Sequence, residues 1–177
     1  TTVPVPVTVT DNAGSVSSIS TTTLPFALPL TISGNVFVDA NGSTDSDVNG
    51  PSYTGADLHA NLLDALGNVV ATVPVAADGT YSFPNLVAGT YSVQISTVAG
   101  TVGLAAPTQT LPGTYVNTGD EIGTTQGTTP NGVSEPIVLT TTNVTNVNLG
   151  IQQPPVSTSQ TVATQANPSG TNTVPVP

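Results

Sequence analysis

Apolar and polar residues alternate in short runs along the middle of the chain, which is the pattern of strands that bury one face. Turn signals such as Asp78-Gly79 separate these runs, and no run has the period of an amphipathic helix. The pattern predicts strands over residues 31–38, 56–63, 68–75, 80–83, 90–97, 135–140 and 143–151, with a loop-rich region over 98–134. Short strands joined by turns in this way indicate an all-β, two-sheet sandwich.

The same alternation predicts which side chains lie inside the sandwich. In residues 56–63, Leu58, Ala60 and Leu62 share one face, while His59 and its polar neighbours occupy the other. The predicted core consists of Leu58, Leu62, Val70, Tyr81, Phe83, Leu86, Tyr91 and Val93. His59 is the only histidine, and its place on a polar strand face predicts an exposed residue with a structural role.

The first ten residues predict an extended strand with one usable hydrogen-bonding edge. Four valines alternate with Thr and Pro and therefore share one face, namely Val3, Val5, Val7 and Val9. Pro4 and Pro6 lack amide donors on the same edge, so such a strand can pair on one side only. This segment suits a strand that is donated to the sheet of a neighbouring module or subunit.

The chain divides into three predicted regions. Residues 1–30 form an N-terminal extended segment, residues 31–152 the sandwich, and residues 153–177 a Pro- and Thr-rich linker or terminal strand. The sequence TVPVP at residues 2–6 recurs at residues 173–177. Either this is a chance match in low-complexity sequence, or the two ends are equivalent parts of a periodic array or a subunit polymer.

Composition narrows the classes of function. The chain has no Lys or Arg, ten Asp and Glu, and a net charge of −10. It cannot neutralise phosphates, which excludes binding to nucleic acid or to an anionic membrane surface. It contains no run of about 18 apolar residues, so we expect no membrane insertion. Cys and Met are absent, and the surface of Thr, Ser, Asn and Gly favours a processed or excerpted extracellular or cell-surface chain.

An acidic loop follows the first predicted core strand. Oxygen-bearing side chains occupy alternate positions in it, namely Asp39, Asn41, Ser43, Asp45 and Asp47. Ca²⁺ takes about six to eight such oxygen ligands, so the loop predicts a calcium site. The alternative is a solvated Asp, Asn and Gly turn cluster that holds no metal. Clustered carboxylates without any Lys or Arg repel one another, which favours the metal. Asp120-Glu121 is a second candidate cation site.

Several motifs occur in the same order in a known family. They are Gly34-Asn35-Val36-Phe37-Val38-Asp39, Leu63-Asp64 with Gly67-Asn68-Val69-Val70, Asp78-Gly79-x-Tyr81-x-Phe83, Gly89-Thr90-Tyr91-x-Val93 and Asn148-Leu149-Gly150-Ile151. With these motifs, residues 31–152 resemble the SdrD B-like repeats of bacterial surface adhesins and, more widely, the Cna B-type domains. The resemblance implies an Ig-like or prealbumin-like sandwich that serves as a calcium-stiffened stalk module.

The resemblance also implies a set of metal ligands. They are Asp39, Asn41, Asp45 and Asp47, with backbone carbonyls and with Asp78 or Asp64 joining them. One departure from the wider family changes a mechanistic expectation. Many Cna B-type domains lock themselves with isopeptide bonds from lysine, whereas this chain has no lysine and can form none.

The residues give little support for catalysis. A Ser–His–Asp set would need His59, and the chain has neither a Gly-x-Ser-x-Gly elbow nor a Trp to stack against a sugar. We therefore expect a non-enzymatic extracellular structural module that forms, or repeats along, a bacterial surface fibre. Its partners would be copies of itself or adjacent repeats in head-to-tail order. Two alternatives stay open: a stalk repeat of a single giant adhesin, or an adhesin domain that binds a host or matrix ligand.

Overall fold

The chain forms eleven strands in the parts that the structure, a computed structural model, describes: residues 2–7, 20–25, 29–42 and 47–154. Within those ranges there is no helix, and hence none long and apolar enough to cross a membrane. The strands are β1 Thr2–Val7, β2 Ser20–Pro25, β3 Leu30–Val38, β4 His59–Asp64, β5 Val69–Pro74, β6 Thr80–Leu86, β7 Gly89–Ser96, β8 Val116–Ile122, β9 Thr125–Gln126, β10 Ile137–Leu139 and β11 Val147–Gln152.

Nine of these strands make two sheets that share one core. The larger sheet has the order β6-β3-β11-β8-β9, and the smaller one has the order β10-β7-β4-β5. Neighbouring strands are antiparallel except for β3 and β11, which run parallel. The predicted all-β, two-sheet sandwich is confirmed, while the Ig-like or prealbumin-like topology stays a prediction.

One apolar cluster fills the space between the two sheets. Alternate residues of each strand enter it because successive side chains of a strand point to opposite faces. Its fully buried members include Ile32, Val36, Leu58, Leu62, Phe83, Val93, Ile95, Ile137, Leu149 and Ile151. Seven of the eight residues predicted for the core are buried, and Val70 is the exception.

The prediction for Val70 is wrong because Ala71 and Val73 are the residues of β5 that pack against the core, which places Val70 on the outer face. Leu62 pairs with Ala71, but Leu63 pairs with Val69, so Val70 is an extra residue between two paired ones. This bulge places Val69, rather than Val70, opposite Leu63 and beneath the segment that contains Gly100. Val70 is consequently 37% exposed, whereas Val69 is 1% exposed.

The prediction of loops over residues 98–134 is wrong for β8 and β9. The sequence of β8 is VNTGDEI, which has no alternating apolar face. The strand forms because it is sandwiched between β11 and β9, both of which pair with it. Its existence therefore depends on tertiary pairing that the local pattern does not show.

Residues 97–111 cover the outer face of the smaller sheet. Beneath them Asn61 Nδ2 donates to Gln94 Oε1 at 3.3 Å and to the Val98 carbonyl at 3.1 Å, and Asn61 Oδ1 accepts from the Gly100 amide at 2.8 Å. The polar face of β4 is thus buried by hydrogen-bonded backbone. His59, which we expected to be exposed, is half-buried, and its Nδ1 has no hydrogen-bond partner among the described residues.

The N-terminal strands form a sheet of their own. β1 and β2 are antiparallel and, of the strands described, pair only with each other. Val3 lies opposite Leu24, and Val5 lies opposite Thr22. Val9 and the repeated sequence at 173–177 lie outside the described residues. Donation of this segment to another copy stays a prediction.

Candidate metal centre

Asp39 follows β3 directly, and its carboxylate lies on the outer face of the larger sheet. The Asp39 amide donates to the Ile151 carbonyl at 2.9 Å, which extends the pairing of β3 with β11. A Cβ built on Gly150 would lie 3.1 Å from Asp39 Oδ2. Leu149 and Ile151 point into the core, so the position of Gly150 faces outward. The Asp39 side chain therefore lies across the outer face of β11 at Gly150, where β11 has no side chain to block it.

Thr118 on β8 and two glycines enclose this carboxylate. Thr118 Oγ1 donates to Asp39 Oδ2 at 2.8 Å. A Cβ on Gly42 would come within 2.2 Å of Asp39 Oδ2, and a Cβ on Gly150 would come within 2.2 Å of Thr118 Oγ1. Only residues without a side chain leave room at these two positions. The result is a close-fitting cradle in which Asp39 is 1% exposed.

The second oxygen of the carboxylate, Asp39 Oδ1, is buried and has no hydrogen-bond partner among the described residues. Burying an ionised carboxylate is costly unless it is paired, and the chain has no Lys or Arg to pair with it. A hard cation would supply that charge, because Ca²⁺ prefers carboxylate and carbonyl oxygens as ligands. The cradle therefore fits the predicted calcium, which Asp39 would hold through Oδ1.

The end of the acidic loop, at Asp47 and Val48, lies over the same face of the sheet as Asp39. Val48 packs over β8, where a Cβ on Gly119 would be 3.8 Å from Val48 Cγ2. Asp47 accepts a hydrogen bond from Gln126 Nε2 on β9. The described ends of the loop thus lie at β3 and at β9, and β11 and β8 stand between those strands in the sheet. An ion held by Asp39 and by oxygens of this loop would fasten the loop to the sheet.

The other predicted ligands of the loop are only partly described. Asn41 and Asp47 are exposed on the loop, whereas Asp45 lies outside the described residues, as does Ser43. In the described part of the chain, no three His, Asp or Glu side chains come together as a group that could hold a metal ion. The full ligand set stays a prediction, and Asp39 is the member whose surroundings support it.

Asp78 and Asp64 are each engaged within their own hairpin turn. Asp78 Oδ1 accepts hydrogen bonds from Thr80 Oγ1 at 2.6 Å and from the Thr80 amide at 3.1 Å. Asp64 Oδ1 accepts from the amides of Leu66 and Asn68, both at 2.9 Å. The Thr80 hydroxyl lowers the pKa of Asp78, and chiefly the Asn68 amide lowers that of Asp64. These bonds give both carboxylates a structural role that needs no metal.

The carboxylates of the second candidate pair, Asp120 and Glu121, do not point toward a common cation site. Asp120 lies opposite Leu149 and is buried, whereas Glu121 lies opposite Asn148 on the other face of β8. Asp120 Oδ2 accepts a hydrogen bond from the Glu135 amide at 2.8 Å. Burial raises the pKa of Asp120, and the charge of Glu135 raises it further. Asp120 is thus a partnered buried carboxylate rather than half of an acidic pair.

Sequence reasoning misses the residues that make the cradle. Thr118 is separated from Asp39 by 79 positions in the chain. A register shift between Gly150 and Ile151 leaves Thr118 without a direct partner in the ladder of β8 and β11. Gly150 lies within a motif of the resemblance, and that is the only sequence signal for this group. No sequence signal marks Thr118.

Comparison with known proteins adds no family assignment. No protein-family model matches the chain, and no curated protein matches it. The likeness to SdrD B-like repeats therefore rests on the motifs quoted above.

Proposed function

We propose that the chain is a non-enzymatic, extracellular structural module that forms, or repeats along, a bacterial surface fibre and is stiffened by Ca²⁺. The observation that carries the proposal is the buried Asp39 carboxylate, whose Oδ1 has no partner among the described residues. In a chain without Lys or Arg, a bound cation is the available source of compensating charge. A bound ion would join the acidic loop to the outer face of the larger sheet.

A mechanical role also agrees with the surroundings of the ionisable groups. Asp64 and Asp78 close hairpin turns, and Asp120 holds the segment that contains Glu135. Each of these three carboxylates holds a turn or a segment of the sandwich itself, which supports a structural rather than a catalytic function.

The two end segments of the chain are suited to join one module to the next. The matching TVPVP sequences at residues 2–6 and 173–177 make the two ends alike. The N-terminal strands form a sheet that is separate from the strands of the sandwich. Partners of this module are therefore copies of itself, or adjacent repeats, in head-to-tail order. Separate subunits and tandem repeats of one long adhesin both use such an arrangement.

The proposal is tested on the purified chain by electron microscopy and sedimentation, each with Ca²⁺ and with a chelator. We expect linear assemblies that resist proteolysis better with Ca²⁺. A protein that stays monomeric at every concentration, with or without Ca²⁺, would refute self-assembly into a fibre. The intact mass of native material after denaturation distinguishes a polymer of subunits from a single giant polypeptide.

A further inference from the structure

We infer that residues 173–177 of one copy of the chain pair with the outer edge of β2 in a second copy and complete a three-stranded sheet with β1 and β2. The inference rests on the proposed self-assembly and names the two backbone edges that meet. It assigns the donated strand to the C-terminal segment rather than to residues 1–10, because β1 is already paired within its own chain.

The register of β1 and β2 fixes which backbone groups of the two strands face each other. Partners in an antiparallel ladder alternate between pairs that exchange two backbone hydrogen bonds and pairs that exchange none. Pro4 lies opposite Thr23, and Pro6 lies opposite Thr21. Proline has no amide hydrogen, so these two pairs are of the second kind. The pairs that exchange hydrogen bonds are therefore the alternate ones, namely Val3 with Leu24, Val5 with Thr22 and Val7 with Ser20.

The outer edge of β1 is poorly suited to receive a further strand. Because the valines of β1 bond to β2, the backbone positions that face away from β2 include Pro4 and Pro6. Each of these prolines offers a carbonyl but no amide donor. Prolines at such positions keep an edge strand from pairing with further strands. The one usable edge of β1 is thus occupied by β2 of the same chain.

The outer edge of β2 keeps both kinds of hydrogen-bonding group. Thr21 and Thr23 lie opposite the two prolines, so their amides and carbonyls point away from β1. No other strand in the described part of the chain pairs with this edge. An isolated two-stranded sheet is marginally stable in water, so a third strand on this edge would stabilise the sheet.

The C-terminal segment has the amide donors that this edge requires. Residues 173–177 repeat the sequence TVPVP that begins β1. In an extended strand the amides of Val174 and Val176 would lie on one edge, while Pro175 and Pro177 would leave the other edge without donors. β1 shows that a strand of this sequence pairs with β2 through its valine edge. In the completed sheet β2 is the central strand, and prolines blunt both outer edges.

Charge also favours contact between these two segments. Each copy has a net charge of −10 and no Lys or Arg, so no acid of one copy can pair with a basic side chain of another. Contacts between copies are therefore least costly where acids are absent. Residues 12–38, which include β2, contain no acid, and neither do residues 136–177.

Cross-linking locates the contact, because the chain has no cysteine and single-cysteine variants are therefore unambiguous. A tagged Thr23→Cys chain is mixed with an untagged Val174→Cys chain and treated with a short bismaleimide. We expect a cross-linked dimer of the two different chains. The matched control replaces Val174→Cys by Val138→Cys, since Val138 is 65% exposed but lies on β10. Equal cross-linking of the control, or none with Val174→Cys, overturns the inference.

A second arm separates pairing with a neighbour from pairing within the same chain. The double variant Thr23→Cys, Val174→Cys is cross-linked at high dilution. Rapid cross-linking within one chain would show that the C-terminal segment completes the sheet of its own chain, and would overturn the inference.

Proline variants test the two backbone edges and use self-association, measured by sedimentation, as the readout. We expect Val174→Pro to weaken self-association about tenfold or more, because it removes an amide that faces β2. Thr173→Pro is the matched control, since the amide that it removes faces away from β2. On the receiving edge, Thr23→Pro should also weaken self-association, whereas Thr23→Val keeps the amide and should leave it unchanged.

These variants distinguish failure of the inference from failure of the proposed function. If Val174→Pro and Thr23→Pro assemble like the unaltered chain, the strand pairing is wrong although fibre formation stands. An equal loss in Thr173→Pro would overturn the assignment of the valine edge. If the unaltered chain does not assemble, both the inference and the proposed self-assembly are wrong.

Discussion

The hydroxyl of Tyr81 donates a hydrogen bond to the backbone carbonyl of Val147 beneath Gly34. Tyr81 lies on β6, Val147 begins β11, and Gly34 belongs to β3, which runs between them. One side chain thus ties together three adjacent strands of the larger sheet. Burial raises the pKa of this phenol, and the charge of Asp120 raises it further, so the hydroxyl keeps its proton and stays a donor.

The first prediction concerns this hydrogen bond. Tyr81→Phe leaves the buried Val147 carbonyl without its partner, which should cost about 1–3 kcal/mol in the free energy of unfolding. Tyr91→Phe is the matched control, because the Tyr91 hydroxyl donates to the Val87 carbonyl at 3.0 Å in a partly exposed turn. Urea unfolding of both variants should show the larger loss for Tyr81→Phe. Equal losses would contradict the special role of the Tyr81 bond.

The second prediction concerns the glycine between these two residues. A Cβ on Gly34 would lie 1.7 Å from the Val147 carbonyl oxygen and 2.8 Å from the Tyr81 hydroxyl. Gly34→Ala must therefore separate β3 from β11, and we expect it to cost about 3 kcal/mol or more. Gly119→Ala is the control, since the nearest atom to its added Cβ is 3.8 Å away. A melting temperature for Gly34→Ala like that of the control would show that the strands are farther apart than described.

Much of the fold is predictable from the pattern of the chain, and the failures have local causes. Leu58, Leu62 and Phe83 enter the core as their alternation predicts. Val70 does not, because Ala71 and Val73 are the core-facing residues of β5 and a bulge that no residue type marks leaves Val70 unpaired on the outer face. β8 is missed because its sequence has no apolar face and because its neighbours in the sheet are remote in sequence.

The third prediction tests the bulge directly with two adjacent valines. Val69→Ala removes buried methyl groups and should cost about 2 kcal/mol. Val70→Ala changes a residue that is 37% exposed and should alter stability by less than about 0.5 kcal/mol. Chemical denaturation of the two variants gives the comparison. The reverse order of losses would mean that the strand register is shifted by one residue.

The candidate site is predictable to a smaller extent than the fold. Asp39 follows from its position after a core strand at the start of an acidic loop. Its burial does not follow, because the cradle is made by Thr118 and Gly150, which come from strands far along the chain. The resemblance also implies Asp78 or Asp64 as a ligand, but Thr80 within its own turn supplies the hydrogen bonds of Asp78.

The fourth prediction tests calcium through the buried carboxylate. An ion that binds only the folded state stabilises it by about 2.7 kcal/mol at a hundredfold excess over its Kd. Thermal melts of the unaltered chain should therefore shift upward by several degrees when Ca²⁺ replaces a chelator. Asp39→Asn should abolish the shift, because it removes the charge of the buried ligand, while Asp78→Asn should keep it. Loss of the response in Asp78→Asn alone would move the site to the hairpin turn.

The fifth prediction concerns pH and Asp120, whose Oδ2 accepts a hydrogen bond from the Glu135 amide. Burial, aided by Glu135, raises the pKa of Asp120 above its unfolded value, so the folded state binds this proton more tightly. Its contribution to stability is then fully present below the unfolded pKa of about 3.9 and is lost as the pH rises through the folded pKa. At neutral pH the ionised carboxylate therefore destabilises the sandwich.

Asp120→Asn removes this charge but retains an oxygen that can accept the hydrogen bond from the Glu135 amide. We expect it to increase the free energy of unfolding at about pH 7 and to change it little at about pH 3, where the native carboxyl is protonated. Asp64→Asn is the control of opposite sign, because the Asn68 amide lowers the pKa of Asp64. It should reduce stability at neutral pH, and this loss should fade as the pH falls through the lowered pKa of Asp64. Urea unfolding across this pH range measures how the free energy of unfolding of each variant depends on pH. Parallel pH profiles for the two variants would contradict the assignment of Asp120 as a buried carboxylate of raised pKa.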